Sequence, residues 1–158
     1  MNYNAENNYD FSVSYVKFIV KREPNPNWKI DDVVHDDSCL IGLCTGGKAF
    51  YNIHGKETTF NKDDIIYFSK GCIHSGKSSI EEPLSFFSIA FDLEYKKDSK
   101  KLFSGSEYLI IPSMGSLVPI LNELNMTWMS KKPGYLIKCY SMIMNIVYAL
   151  IRETESKF

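Results

Sequence analysis

The stretch FNKDDIIYFSKGCIHSG, residues 60–76, decides how the chain is read. Two acids, Asp63 and Asp64, precede the apolar run Ile65–Phe68. Residues 64–68 therefore read as a strand, and the acids read as the turn into it rather than as a catalytic dyad, because loop acids are usually solvated. Ser69-Lys70-Gly71 then turns the chain toward a lone histidine, His74. An imidazole there can hold a metal, touch a ligand or simply pack.

Working outward, β texture extends from Phe11 to about Phe91. Short runs rich in Val, Ile, Phe and Tyr recur between turn residues. FSVSYVKFIV (11–20) alternates as a strand does. Pro24 and Pro26 block a ladder and mark a loop. Trp28-Lys29-Ile30 opens the next strand. CLIGLCT (39–45) is apolar enough for a strand buried on both faces. KAFYNI (48–53) and ETTF (57–60) form a hairpin whose glycine, Gly55, supplies positive φ. LSFFSIAFDL (84–93) is a further strand. Gly71 and Gly76 read as turn glycines. Short strands with regular turns and no interleaved helices favour a sandwich or barrel.

The texture changes after about residue 112. Leu117, Leu121, Leu124 and Trp128 fall on one helical stripe. Lys131-Lys132-Pro133-Gly134 breaks it. Leu136, Tyr140, Ile143, Val147 and Leu150 form a stripe on a second, longer helix, and Ile137, Met144, Tyr148 and Ile151 form another. A helix with one wet face needs a single stripe. The second helix therefore has one face for the barrel or first helix and one for something else, a second subunit being the simplest partner. Leu136, Tyr140, Ile143, Val147 and Leu150 are taken as the dimerisation set. Residues 1–10, MNYNAENNYD, read as a frayed tail or short arm.

The bulk properties set limits. The chain has 158 residues, 44% hydrophobic and 23% charged, which suits one globular domain. A net charge of −1 gives no basic face for nucleic acid. No apolar run reaches membrane-spanning length, and the N-terminus lacks the pattern of a signal peptide. Four cysteines without CxxC spacing point to free thiols in a reducing cytosol. A nucleophile–base–acid set, a nucleophile elbow and a phosphate-cradling loop are all missing from the sequence.

Gly71 and His74, with Asp63 and Ser69 at the remaining positions, fit the length of a G-x5-P-x-G-x2-H pattern. This resembles the second motif of the cupin superfamily. Anchoring the first cupin motif on Gly46 places Cys39 at its glutamate, His35 at its second histidine and Val33 at its first. The resemblance thus leaves His35, Cys39 and His74 as the set for a metal, if any, and a depleted set implies no metal and no cofactor. From the residues alone, His74 can equally be a hydrogen-bonded histidine at the barrel mouth, and Cys39 a small buried hydrophobe.

A wider resemblance follows from order and spacing. Trp28-Lys29-Ile30, Gly46, Phe50-Tyr51, Ile53-His54-Gly55-Lys56, Asp63-Asp64, Gly71 with His74, and Ile89-Ala90-Phe91 are similar to the N-terminal sensor domain of AraC-type transcription regulators. The helix pair is similar too. The resemblance implies a mainly β fold, a cupin-like double-stranded β-helix (jelly-roll) barrel followed by two α-helices. It implies a division into an arm (1–10), a ligand-binding barrel (11–111) and a dimerising helix pair (112–158). Such regulators continue into a DNA-binding domain of about one hundred residues, which this sequence does not include. The expected function is non-enzymatic sensing of a small-molecule effector in a cytoplasmic homodimer, with DNA reached only through that further domain. The alternative is a stand-alone cupin enzyme, a metal-dependent dioxygenase or an isomerase or epimerase.

Alternation along strands puts Phe86, Ser88 and Ala90 on one face, and Tyr51 and Ile53 on another. If both faces turn inward, Trp28, Tyr51, Ile53, His74, Phe86 and Ser88 are the candidate ligand residues. His74 and Ser88 would orient a ligand, while Trp28 and Tyr51 would stack on it or cap it. Plain core packing is the competing role of the aromatic residues.

Overall fold

The computed structural model describes residues 8–155. Nine strands are followed by two helices: β1 (Phe11–Arg22), β2 (Lys29–Val33), β3 (Cys39–Gly46), β4 (Lys48–Ile53), β5 (Lys56–Asn61), β6 (Ile65–Phe68), β7 (His74–Ser78), β8 (Ser85–Tyr95), β9 (Tyr108–Ile111), α1 (Val118–Ser130) and α2 (Tyr135–Glu155). One sheet has five strands in the order β1-β8-β3-β6-β9, the other four in the order β2-β7-β4-β5. Every pairing within them is antiparallel. This is the double-stranded β-helix that the sequence led us to expect, with its helices at the C-terminal end. The expected arm, residues 1–10, lies mostly outside the described residues. Of it, Asn8 and Asp10 are held to the 96–100 segment by Lys100 N–H on the Asn8 carbonyl at 2.8 Å and Lys96 N–H on the Asp10 carbonyl at 2.9 Å.

The β4–β5 turn shows how local chemistry sets register. Ile53 faces Lys56 across His54 and Gly55, whose φ values are 52° and 80°. Two positive-φ residues give the turn a twist that matches its strands. The Gly55 N–H also donates to Asn52 Oδ1 at 3.0 Å.

Two apolar cores share the five-stranded sheet as a wall. On its helix side, Val13, Val16 and Ile19 of β1 and Phe87, Ile89 and Phe91 of β8 pack with Leu121, Leu124 and the buried face of α2. Inside the barrel, Cys44, Tyr51, Ile53, Phe60, Ile66, Phe68 and Phe86 form the second core. Phe86 and Phe87 fall in different cores because consecutive strand residues point to opposite faces.

One expectation is corrected here. Ile143 and Val147 are each 1% exposed and Leu150 is 0% exposed, all within the sheet–helix core. Together with Cys139, Met142 and Ile146 they make the face that α2 turns to its own barrel. Leu136 and Tyr140 sit at the margin of that face, Leu136 being 40% exposed. The stripe taken for dimerisation is therefore an intrachain contact, because the apolar sheet face needs cover and α2 supplies it. Of the other stripe, Ile137 and Tyr148 face outward, 78% and 64% exposed, while Met144 and Ile151 are partly buried against the same core.

Candidate functional site

A cluster of aromatic rings runs through the barrel interior. Trp28 enters it from the loop before β2. Its ring lies 5.4 Å from Phe86 and 6.1 Å from Tyr51, edge to face in both cases. Tyr51 also meets Phe60 at 5.9 Å and Phe68 at 5.5 Å. Edge-to-face and tilted contacts of this kind suit the quadrupoles of the rings.

Gly76 makes room for the cluster. It lies mid-strand in β7, where a Cβ would meet Tyr51 Cε1 at 2.8 Å and the far edge of Trp28 at 3.3 Å. Its reading as a turn glycine is thus wrong: it is a strand residue without a side chain because Tyr51 occupies that volume. Gly71, with φ of 78°, is a turn glycine.

His74 is only 3% exposed. Its ring stacks on Phe68 at 3.8 Å with an interplanar angle of 4°. The Cys72 carbonyl lies 3.1 Å from Nδ1, so Nδ1 carries the proton and donates. Nε2 is left as the acceptor. Burial holds the imidazole below its ordinary pKa; the bond to Cys72 opposes that shift and His35 adds to it. His74 is therefore a neutral acceptor set among aromatic rings. Burial also pushes the Tyr51 phenol well above its ordinary range.

The residues singled out in the sequence are placed as follows. Trp28, Tyr51, His74 and Phe86 form one network, with Tyr51 and His74 rings 6.2 Å apart. Ile53 belongs to the same core. Ser88 is buried on the Phe86 face of β8, opposite Gly42 of β3. The sequence reading missed Phe60, Phe68 and Gly76. Phe68 was legible two residues beyond Ile66 on the same face of β6, and Phe60 pairs with Ala49 in the hairpin already drawn.

The candidate metal set does not assemble. His35 and His74 rings are 6.3 Å apart. Cys39, however, faces the helix side of the sheet, where its thiol donates to the Phe91 carbonyl at 3.2 Å. Its thiol pKa is pushed up to about 12, chiefly by burial. Two imidazoles fall short of the three protein ligands usual for a catalytic divalent metal. Among the described residues, no group of three or more His, Cys, Asp or Glu side chains is placed to hold a metal ion. The remaining histidine, His54, lies at the hairpin tip with Nε2 2.6 Å from Glu107 Oε1.

The fold is thus a jelly-roll barrel with aromatic rings and one buried imidazole inside it and a helix layer on the outer face of its five-stranded sheet. The AraC-like ligand binding domain family matches residues 15–128, and the chain belongs to that family. Among solved structures it is similar to an apo ToxT variant from Vibrio cholerae, with TM-score 0.59 and 14% identity, over 96% of this chain and 58% of that one. A Klebsiella pneumoniae protein with a double-stranded β-helix domain aligns with TM-score 0.44 and 21% identity, over 58% of this chain and 86% of that one. A cupin protein from Bacteroides fragilis aligns with TM-score 0.41 and 16% identity, over 52% and 72%. No curated protein sequence matches. No helix among the described residues is long and apolar enough to cross a membrane.

Proposed function

We propose that the chain is the effector-sensing and dimerisation part of an AraC-type transcription regulator. The observation that carries this reading is the aromatic cluster around one neutral imidazole, inside a domain of the AraC-like ligand-binding family. The effector is a small, uncharged molecule with a flat apolar part. It displaces Trp28, stacks on Tyr51 and Phe86, and donates a hydrogen bond to His74 Nε2, with Ser88 as a second polar contact. Ile53 lines the floor. A charged ligand is disfavoured because a charge taken from water needs a paired charge.

The domain forms a homodimer in the cytoplasm through the exposed residues of the second α2 stripe, Ile137 and Tyr148, with Met144 and Ile151 at their base. It performs no catalysis and needs no metal. It acts on DNA through a helix-turn-helix domain on the same longer polypeptide, whose placement the effector biases by binding one arrangement better than another. The test is a thermal-shift screen of uncharged aromatic compounds on the full chain. A hit should raise Tm in proportion to the logarithm of its concentration. Tyr51→Leu should remove that shift while leaving the fold intact by circular dichroism. Hits insensitive to Tyr51, Phe86 and Trp28 substitutions would refute the barrel as the sensor site.

A further inference from the structure

β9 is the last strand of the five-stranded sheet and pairs only with β6. The Ser69 N–H donates to the Glu107 carbonyl at 2.8 Å, which fixes the alternation of the ladder. Glu107, Leu109 and Ile111 turn their amides toward β6. Tyr108 and Ile110 turn theirs to the open edge, where no described residue bonds to them. A groove of about 500 Å³ lies against β9. Phe103, Leu109, Ile111 and Pro112 supply its apolar lining.

The groove is preformed. Phe103, Ser104 and Gly105 are three consecutive left-handed residues, with φ of 52°, 55° and 70°. Two backbone bonds lock this turn, Ser104 N–H to the Lys101 carbonyl at 3.2 Å and Ser106 N–H to the Phe103 carbonyl at 3.0 Å. The Phe103 ring is braced on Tyr67 at 4.7 Å. Among the described residues, the charged groups of the rim are one ion pair, Lys100 with Glu155. Lys100 Nζ and the Tyr9 hydroxyl both donate to Glu155 Oε1, at 2.7 and 2.6 Å.

We propose that the open edge of β9 is a docking strand for an extended, uncharged peptide segment of another protein, with apolar side chains at alternate positions. The edge amides, to which no described residue bonds, specify a peptide backbone, since that is the group that completes a ladder. A strand added about 4.8 Å from β9 lies in the groove. Its alternate side chains fall on the apolar lining and the others on solvent. The rim's balanced charge favours a neutral segment over an acidic or basic one. Pro112 has no N–H and ends the recognised edge, which spans about 13 Å over four residues.

The test follows amide exchange at Tyr108 and Ile110 by NMR in the isotope-labelled full chain, with a capped Thr-Val-Thr-Val-Thr peptide as the ligand. Both amides should exchange freely in the unliganded chain. Peptide at ten times its Kd should slow them about tenfold. An analogue N-methylated on alternate residues should leave them unslowed, because it cannot complete the ladder. Protection of both amides before peptide is added would overturn the proposal, since the edge is then covered by the chain itself or by a second copy. Equal effects of the two peptides, or protection elsewhere only, would overturn it too.

Discussion

At the residue scale, Gly76 is the constraint that bears on the barrel interior. The atoms that a Cβ would meet belong to a ring wedged between Trp28, Phe60 and Phe68, so they have little room to give. Gly76→Ala should cost about 1–3 kcal/mol, as overpacked cores do, read as a lower urea midpoint. His74 carries a second prediction. Its folded pKa lies below the ordinary value of 6.5, so below pH 6.5 the unfolded chain takes up the proton that the folded chain resists. Its contribution to stability is complete above pH 6.5 and is lost as pH falls from there to the folded value. His35 is shifted the same way, first by burial and then by Lys17, with Asp37 opposing. Stability should therefore fall as pH is lowered through 6.5 toward the folded values. His74→Phe, which keeps a ring on Phe68, should flatten that drop without abolishing it, and an unchanged slope would refute the assignment. His74 was visible in the sequence because it is a lone polar group after an apolar strand. The role of Gly76 was not, since the volume it vacates is filled by Tyr51 from another strand.

At the element scale, legibility followed local periodicity and failed where partners far along the chain decide. β4 and β5 were readable because two residues and one turn fix their register. β1 was readable as a strand but not in its facing. Its register shifts between Val13 and Tyr15 and again between Val16 and Phe18, so Val13, Val16 and Ile19 are buried three apart and Tyr15 is 44% exposed. β7 was missed because its inward residues are His74, Gly76 and Ser78, which give no apolar alternation. β9 was missed because it has only four residues. On α2 both stripes were legible, but which one met the barrel was a tertiary fact. Ile143→Ala should destabilise the chain by about 2–5 kcal/mol in chemical denaturation. Ile137→Ala should change the stability of the dissociated monomer by less than about 0.5 kcal/mol, as exposed sites do. Tyr148→Glu should instead dissociate the proposed homodimer in sedimentation velocity with the monomer still folded. A homodimer indifferent to Tyr148→Glu would move the interface off this stripe.

At the scale of the whole molecule, the thiols report on cooperativity. All four cysteines are buried and free. Burial pushes the thiols of Cys44 and Cys72 up to about 11 and raises that of Cys139. Since the thiolate is the reactive form, an aromatic disulfide reagent should leave the native chain unlabelled and react in step with unfolding as urea is added. Rapid labelling in plain buffer would reveal a local opening instead. The paired cores have a different kind of consequence. Along β8, Phe86, Ser88 and Ala90 face the lumen while Phe87, Ile89 and Phe91 face the helices. Mutations at even-numbered positions of this strand can change what the lumen accepts, and those at odd-numbered positions change how the helices sit. One strand thus carries two sets of side chains that can be altered independently, one written toward the lumen and one toward the helices.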